Sequence, residues 1–178
     1  SQVERCNQIL KRLSLNPIEE DEFIDKDLTM KEYLSEIISS FKEISKKNFI
    51  FNSDQYSNHK SITKSIEIIY GLRNFIGNAN KFSSKNIFIN LKSNNEITRV
   101  IIEDDGNGFP RDVLSKIGEP YLRSNDPIEK SKIGLGLGLF IGKTLLEKNF
   151  ASIICRNSKT RRGAEIIIEW NNKDLLKI

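Results

Sequence analysis

The apolar side chains in the first half of the chain recur at helical spacing. Over residues 1–15 they follow the three-four-three rhythm of a coiled-coil seam, formed by Val3, Cys6, Leu10 and Leu13. Two heptads are too short to be stable in isolation, so we expect this predicted helix to pack against partners. The dipeptide Asn16-Pro17 ends it, and an acidic linker follows.

Two longer amphipathic helices are predicted after the linker. The run Thr29-Met30-Lys31-Glu32 has the form of a capping box, and the apolar stripe behind it predicts a helix to about Ile44. A second helix is predicted to begin at Ser61 or Thr63 and to continue to about Phe82. Short strands are predicted around these helices, over residues 23–28 and 49–51.

The second half of the chain alternates between strand patterns and glycine-rich segments. Strands are predicted over residues 87–92, 97–103, 152–156 and 164–170. Helices are predicted over residues 111–117 and 139–149, and the long segment between them has the character of a functional lid. The predicted fold class is α+β, with helices on one side of a mostly antiparallel sheet.

Composition and charge narrow the class of protein. The 178 residues are 38% hydrophobic and 29% charged, which allows one domain with a core and excludes wholesale disorder. Lys and Arg number 28 against 24 Asp and Glu, an excess too mild to predict direct nucleic-acid binding. Two cysteines exclude a disulfide scaffold, and no apolar run is long enough to span a membrane. We therefore expect a cytoplasmic domain. Since the chain opens within a helical pattern and without Met, we also expect a piece of a longer protein.

The predicted long helix carries polar residues on one face. Asn74, Asn78 and Lys81 are separated by four and three residues, so they project from the same side, with Gly77 between them. An amide oxygen can ligate Mg²⁺, and an ammonium can neutralise phosphate charge. Taken alone, the pattern is explained equally well by a solvated helix face, because Asn is common throughout this chain.

Two glycine-rich motifs follow. The first, Asp104-Asp105-Gly106-Asn107-Gly108, ends a predicted strand; its glycines allow close approach of a ligand, and a buried Asp there can accept a hydrogen bond from an amine such as that of adenine. Taken alone, an ordinary Asp/Gly-rich turn is the favoured explanation for it. The second, Gly134-Leu135-Gly136-Leu137-Gly138-Leu139, leads into a predicted helix whose first amides are suited to phosphate.

Together and in this order, the three motifs resemble the catalytic ATP-binding domain of sensor histidine kinases, within the larger group that includes gyrase, Hsp90 and MutL. Residues 74–82 resemble the N box of that family, residues 104–108 the G1 box and residues 134–139 the G2 box. The resemblance covers roughly residues 23–170. It implies a two-layer α/β sandwich of the Bergerat type, with ATP and Mg²⁺ bound between the N-box helix and the lid.

The resemblance also implies a role for each candidate site residue. Asp104 would hydrogen-bond the adenine amine, while Gly106 and Gly108 leave room for the base. Asn78 would be the Mg²⁺ ligand, and two catalytic residues would meet the phosphates, Asn74 and Lys81. The lid would add contacts to the nucleotide from Tyr121, Arg123, Lys132, Gly134, Leu135, Gly136, Leu137, Gly138 and Leu139. For the basic lid residues, a solvated loop position is the stronger alternative.

One position bears on the reaction that the resemblance implies. Relatives that hydrolyse ATP carry a Glu one turn before the Mg²⁺-binding Asn; here that position is Asn74, which cannot accept a proton. We therefore expect transfer of the ATP γ-phosphate to a His of an upstream dimerisation domain, for relay to a response-regulator Asp. His59 lies in a polar segment and is expected to be an incidental surface residue. The alternative is an ATP-hydrolysing or nucleotide-switched partner-binding module of the same superfamily.

Two stretches are similar to the redox-responsive RegB/PrrB type of these kinases. One runs from Gly134 to Lys148, and the other is the segment 2–10, where that type carries a cysteine linked to redox sensing. Cys6 is therefore a redox candidate, and a small buried hydrophobe is the equally weighted alternative. Cys155 alternates with Ile153 in a predicted strand and is expected to belong to the core.

The resemblance divides the chain into the end of a second dimerisation helix (1–16), a linker (17–22), the catalytic domain (23–172) and a C-terminal tail (173–178). We expect a homodimer through the upstream helical hairpin, and a response-regulator receiver domain as partner. The parent protein is expected at the cytoplasmic face of the inner membrane.

Overall fold

A computed structural model describes residues 28–54, 61–62, 65–120 and 137–175 of the chain. Its elements, in chain order, are β1 (Leu28–Thr29), α1 (Met30–Ile44), β2 (Asn48–Ser53), β3 (Ser61–Ile62), α2 (Ile66–Phe82), β4 (Asn86–Ser93), β5 (Ile97–Asp104), α3 (Arg111–Leu114), α4 (Gly138–Lys148), β6 (Ser152–Asn157), β7 (Ala164–Asn171) and α5 (Asn172–Leu175). The predicted first helix, Cys6 and His59 lie outside the described residues.

The first described helix begins where the sequence predicts. Thr29 caps α1: its Oγ1 accepts a hydrogen bond from the Glu32 backbone N–H at 3.2 Å, while its own N–H donates to Glu32 Oε2 at 2.7 Å. The predicted apolar stripe is buried along most of α1, through Met30, Tyr33, Leu34, Ile37 and Ile38. At its end, Ile44 is 73% exposed, so the buried stripe stops short of the last turn.

The long helix starts later than predicted. Its cap is Ser65, whose hydroxyl accepts from the Ile68 N–H at 3.3 Å, so a start at Ser61 or Thr63 is wrong. Ser61 and Ile62 instead form β3, which pairs antiparallel with β1. The sequence predicted too early a start because Ser61 and Ile62 fit the first turn of a helix as well as they fit a short strand. Only the pairing of β3 with β1 distinguishes the two structures.

The main sheet has the strand order β2-β4-β5-β7-β6. β2 runs parallel to β4, and the other neighbours are antiparallel, which confirms the mostly antiparallel prediction. Alternate strand residues are buried against the helical layer, among them Ile87, Ile89, Val100, Ile102, Ile168 and Trp170. The two-layer α+β arrangement is therefore the predicted one.

The C-terminal end of the described chain is part of the core. α5 follows β7 directly, and Leu175 is buried. The Asn172 side chain accepts from Thr98 Oγ1 at 2.7 Å and donates to the Asn94 carbonyl at 2.8 Å. The folded unit thus continues to at least residue 175, beyond the boundary expected at residue 172.

Candidate functional site

The polar face of α2 lies against the start of α4. A Cβ placed on Gly138, the first residue of α4, would lie 3.2 Å from Asn78 Oδ1. The first residue of α4 therefore lies beside the side-chain amide of Asn78, which the sequence predicted as a site residue. Leu137 and Leu139 flank this contact and are half-buried. The structure thus brings the N-box motif and the end of the G2-box motif together, as the resemblance requires.

Two glycines, Gly71 and Gly142, allow α2 and α4 to pack close together. The sequence predicted no role for either of them. A Cβ on Gly71 would lie 2.5 Å from Leu146 Cγ, and one on Gly142 would lie 3.1 Å from the Phe75 ring and 3.2 Å from the Gly71 carbonyl. Larger residues would force α2 and α4 apart and pull Gly138 away from Asn78. The signal was available in the sequence, because a glycine inside a helical pattern usually has a packing reason.

The two catalytic candidates lie on α2 on either side of Asn78. Asn74 is half-buried, and its Nδ2 donates to the Tyr70 carbonyl one turn earlier at 2.8 Å. Lys81 lies in the last turn, with its Nζ 5.0 Å from the centre of the Phe82 ring. Gly77, expected between them on the polar face, faces α1, where a Cβ would lie 3.5 Å from the Phe41 ring.

Asp104 ends β5 as a buried carboxylate. It is only 3% exposed, and its Oδ1 accepts from the Gly106 N–H at 2.8 Å and from the Ala164 N–H at 3.3 Å. Two backbone donors on one oxygen fix the orientation of the carboxylate. The site prediction from the D-x-G-x-G pattern therefore falls on a side chain that is buried and oriented.

The two glycines of this motif lie where side chains would collide or be strained. A Cβ on Gly106 would lie 2.2 Å from the Phe82 carbonyl oxygen at the end of α2. Gly108 has a φ of 77°, in the left-handed region that glycine adopts without penalty. The loop therefore passes directly over the C-terminal end of α2.

Asp105 ties the same loop to the chain that leaves α2. Its Oδ1 accepts from the backbone N–H groups of Ser84 and Lys85, each at 2.9 Å, and its Oδ2 accepts from the N–H and the side-chain amide of Asn86 at 3.0 and 2.9 Å. Partial burial acts to raise the pKa of Asp105, but these donors outweigh it and hold the pKa below its ordinary value. Sequence reasoning missed this role.

The hairpin of β6 and β7 also contacts this loop. The sequence predicted its two strands but assigned neither of them to the site. A Cβ on Gly163 would lie 2.0 Å from the Asp104 carbonyl oxygen, so only glycine fits beside the buried carboxylate. The next residue, Ala164, supplies one of the two N–H donors to Asp104. The antiparallel pairing of β7 with β5 brings these residues to Asp104, and local sequence carries no sign of that contact.

The predicted lid lies largely outside the described residues, including Tyr121, Arg123, Lys132, Gly134, Leu135 and Gly136. The first residues of the lid are described: Gly118 has a φ of 102°, and a Cβ there would lie 3.0 Å from Lys143 Nζ on α4. The beginning of the lid thus lies against the helix that follows the lid, α4.

The protein oxygens at this site fit a magnesium ion that is bound mainly by nucleotide phosphates, rather than one enclosed entirely by protein ligands. Within the described ranges, no group of three or more His, Cys, Asp or Glu side chains is arranged to hold a metal. Magnesium commonly takes one or two protein oxygens and completes its octahedron with phosphates and water. Asn78 Oδ1, close to the first residue of α4, offers one such oxygen.

Comparison with known proteins decides the family. Residues 63–174 match the family described as histidine kinase-, DNA gyrase B-, and HSP90-like ATPase. The chain belongs to this family. The expected histidine-kinase type of ATP-binding catalytic domain is confirmed. The sensor histidine kinase RegB of Cereibacter sphaeroides is 37% identical over 97 residues, 52% of this chain and 21% of the relative.

A second curated relative, sporulation kinase A of Bacillus subtilis, is 24% identical over 191 residues, 97% of this chain and 28% of its own. The chain thus spans less than a third of the length of either relative.

Solved structures of histidine kinases share the fold. The mycobacterial sensor histidine kinase MprB superposes with a TM-score of 0.68 at 20% identity, covering 81% of this chain and 96% of that one. Full-length ShkA in complex with AMPPNP gives a TM-score of 0.67 at 18% identity, covering 82% of this chain and 30% of that one. The Bergerat-type sandwich is therefore confirmed. In the part of the chain that the structure describes, no helix is long and apolar enough to cross a membrane.

Proposed function

We propose that this chain is the catalytic domain of a two-component sensor histidine kinase, which binds Mg²⁺-ATP and transfers the γ-phosphate to a His of an upstream dimerisation domain. The observation that carries the proposal is the convergence of three motifs: Asn78 faces the start of α4, and the loop after buried Asp104 crosses the end of α2. Membership of the family and similarity to RegB support it.

Each residue has a task in this proposal. The Asp104 carboxylate, oriented by two backbone N–H groups, accepts a hydrogen bond from the adenine amine. Asn78 provides an oxygen for the magnesium ion, which supplies charge neutralisation at the phosphates when it is bound. Lys81 and Asn74, on the same face of α2, meet the phosphate oxygens. The amides at the start of α4 and in the lid favour the triphosphate because helix N-termini carry partial positive charge.

The residues of α2 favour transfer over hydrolysis. Efficient hydrolysis needs a base that takes a proton from water, and the Asn74 amide cannot do so. The acidic residue of α2 is Glu67, whose carboxylate bonds to Lys148 Nζ and to the Asn149 side chain, each at 2.7 Å. It lies about 16 Å along the helix from Asn78, eleven residues at 1.5 Å each. Phosphoryl transfer depends mainly on positioning the reactants and on neutralising the phosphate charge, and the polar residues of α2 can supply both.

The assembly around this domain is proposed from its relatives. We propose that residues 1–16 end a second dimerisation helix, that 17–22 form a linker and that the catalytic domain follows. The homodimer, the response-regulator partner and anchoring of the parent at the inner membrane belong to the same proposal. Redox regulation through Cys6 belongs to the proposal because segment 2–10 resembles the redox-responsive type of these kinases.

The test is a calorimetric titration of the chain with ATP, with and without Mg²⁺, followed by measurement of free phosphate. We expect Mg²⁺-dependent binding and little phosphate release. Asn78→Ala should remove the dependence on Mg²⁺. The matched variant Asn90→Ala, on β4, should leave it intact, because Asn90 pairs with the Asn52 side chain away from the site. The full-length protein should then acquire acid-labile phosphate from ATP.

Two outcomes would refute the proposal. Brisk phosphate release by the chain alone would show an ATPase. Absence of binding would favour a partner-binding module that does not use nucleotide.

A further inference from the structure

A side chain at the end of β6 holds the backbone of the glycine loop at two points. Asn157 Oδ1 accepts a hydrogen bond from the Phe109 N–H at 2.6 Å, and Asn157 Nδ2 donates to the Phe109 carbonyl at 3.1 Å. The amide therefore pairs with one residue as a neighbouring strand would. Phe109 follows the last glycine of the motif directly, so this pair fixes the far end of the loop.

The approach of Asn157 depends on the glycine before Phe109. A Cβ on Gly108 would lie 2.7 Å from Asn157 Oδ1 and 3.3 Å from the Arg162 carbonyl oxygen. Gly108 also has a φ of 77°, in the left-handed region that residues with a side chain rarely adopt. Gly108 and Asn157 therefore fit each other closely.

The same hairpin holds the beginning of the loop. Asn157 and Ala164 are partners in the β6–β7 register, and the Ala164 N–H donates to Asp104 Oδ1. One rung of the hairpin thus contacts the loop at Asp104 and again at Phe109. The backbone between them, which includes Gly106 and Gly108, is held at both ends by the hairpin and from below by the end of α2.

We propose that Asn157 is a positioning residue for nucleotide binding: it holds residues 106–109 in the conformation that receives the adenine base. The proposal rests on the proposed function, because it assigns the loop to the nucleotide. Asn suits the position because its side-chain amide carries both an acceptor oxygen and an N–H donor, and Phe109 uses one of each. Without Asn157, the loop would adopt the binding conformation only part of the time. The apparent affinity for ATP would then fall in proportion to the fraction of molecules in that conformation.

A matched control lies at the opposite end of the sheet. Asn94, in the turn between β4 and β5, also makes two side-chain contacts to backbone: its Oδ1 accepts from the N–H groups of Glu96 and Ile97, each at 2.8 Å. Asn94→Ala and Asn157→Ala thus remove the same side chain and the same number of hydrogen bonds. They differ in whether the loop that is released belongs to the nucleotide site.

The experiment measures ATP affinity by calorimetry for the unaltered chain, Asn157→Ala and Asn94→Ala, well below all melting temperatures. Loss of two hydrogen bonds that hold the loop should weaken ATP binding of Asn157→Ala about three- to tenfold. Asn94→Ala should bind like the unaltered chain. Hydrogen exchange should be faster at the Phe109 amide in Asn157→Ala alone. If Asn157→Ala does not fold, Asn157→Ser, which keeps a shorter hydrogen-bonding side chain, takes its place.

The outcomes separate this proposal from the proposed function. Failure of the unaltered chain to bind ATP overturns the proposed function and this inference with it. Binding by the unaltered chain with equal affinity in Asn157→Ala overturns only the role of Asn157. Equal weakening in both variants also overturns that role, since it would reflect general stability rather than the loop.

Discussion

Replacement of Asp104 by Asn tests the assignment of the adenine site most directly. The side chain is 3% exposed, and the substitution keeps its shape while removing its charge. An asparagine oxygen can still accept from the Gly106 and Ala164 N–H groups, so the loop should keep its position. The second acceptor oxygen becomes an NH₂ group, which would face the adenine amine donor to donor.

The magnitude follows from the loss of one charge-assisted hydrogen bond in a buried setting. Such bonds contribute about 1.5–3 kcal/mol, which corresponds to about a ten- to hundredfold loss of ATP affinity. The assay is calorimetric titration with Mg²⁺-ATP at a temperature where both proteins are folded. Melting curves of the same samples check that the fold is retained.

A second Asp-to-Asn change provides the control. Asp54 Oδ2 accepts from the Ser93 N–H at 2.7 Å, at the end of β4 far from Asp104 along the sheet. Asp54→Asn removes one negative charge and perturbs a similar backbone contact, but it should leave ATP affinity unchanged. Equal ATP affinity in Asp104→Asn and in the unaltered chain would refute the assignment of Asp104 to adenine.

Three further predictions concern the chain around the site. Gly163→Ala should lower the melting temperature strongly and abolish ATP binding, because its Cβ would overlap the Asp104 carbonyl oxygen; normal melting would contradict the packing. Because the pKa of Asp105 is lowered in the folded chain, its ionised carboxylate contributes to the free energy of unfolding. This contribution is complete above about pH 5 and is lost as the pH falls through about 3.9 toward the folded-state pKa. Asp105→Asn should flatten this pH dependence in denaturant titrations at several pH values. Burial raises the pKa of the Cys155 thiol to about 11, so a thiol reagent at mildly alkaline pH should label Cys155 slowly in the folded chain and rapidly in urea; fast labelling of the folded chain would contradict its packing against the core.

Local patterns in the sequence predicted most of the elements correctly. The capping box at Thr29, the apolar stripes of α1 and α2 and the alternation in β4 and β5 are properties of residues close together in the chain. Helix periodicity and capping depend on neighbours within one or two turns, so the sequence alone carries them. The helix start at Ile66 was missed because the pairing of β3 with β1 joins residues far apart in the chain.

The sequence by itself determined which motifs make up the candidate site: the polar face with Asn78, the D-x-G-x-G run from Asp104 and the glycine run that ends in α4. Only the tertiary structure decided what surrounds them. Asp105, Asn157 and Gly163 act through contacts with residues 19 to 59 positions away, made by strand pairing and by the passage of the loop over α2. No local rule predicts such contacts, because they depend on which strands become neighbours in the folded chain.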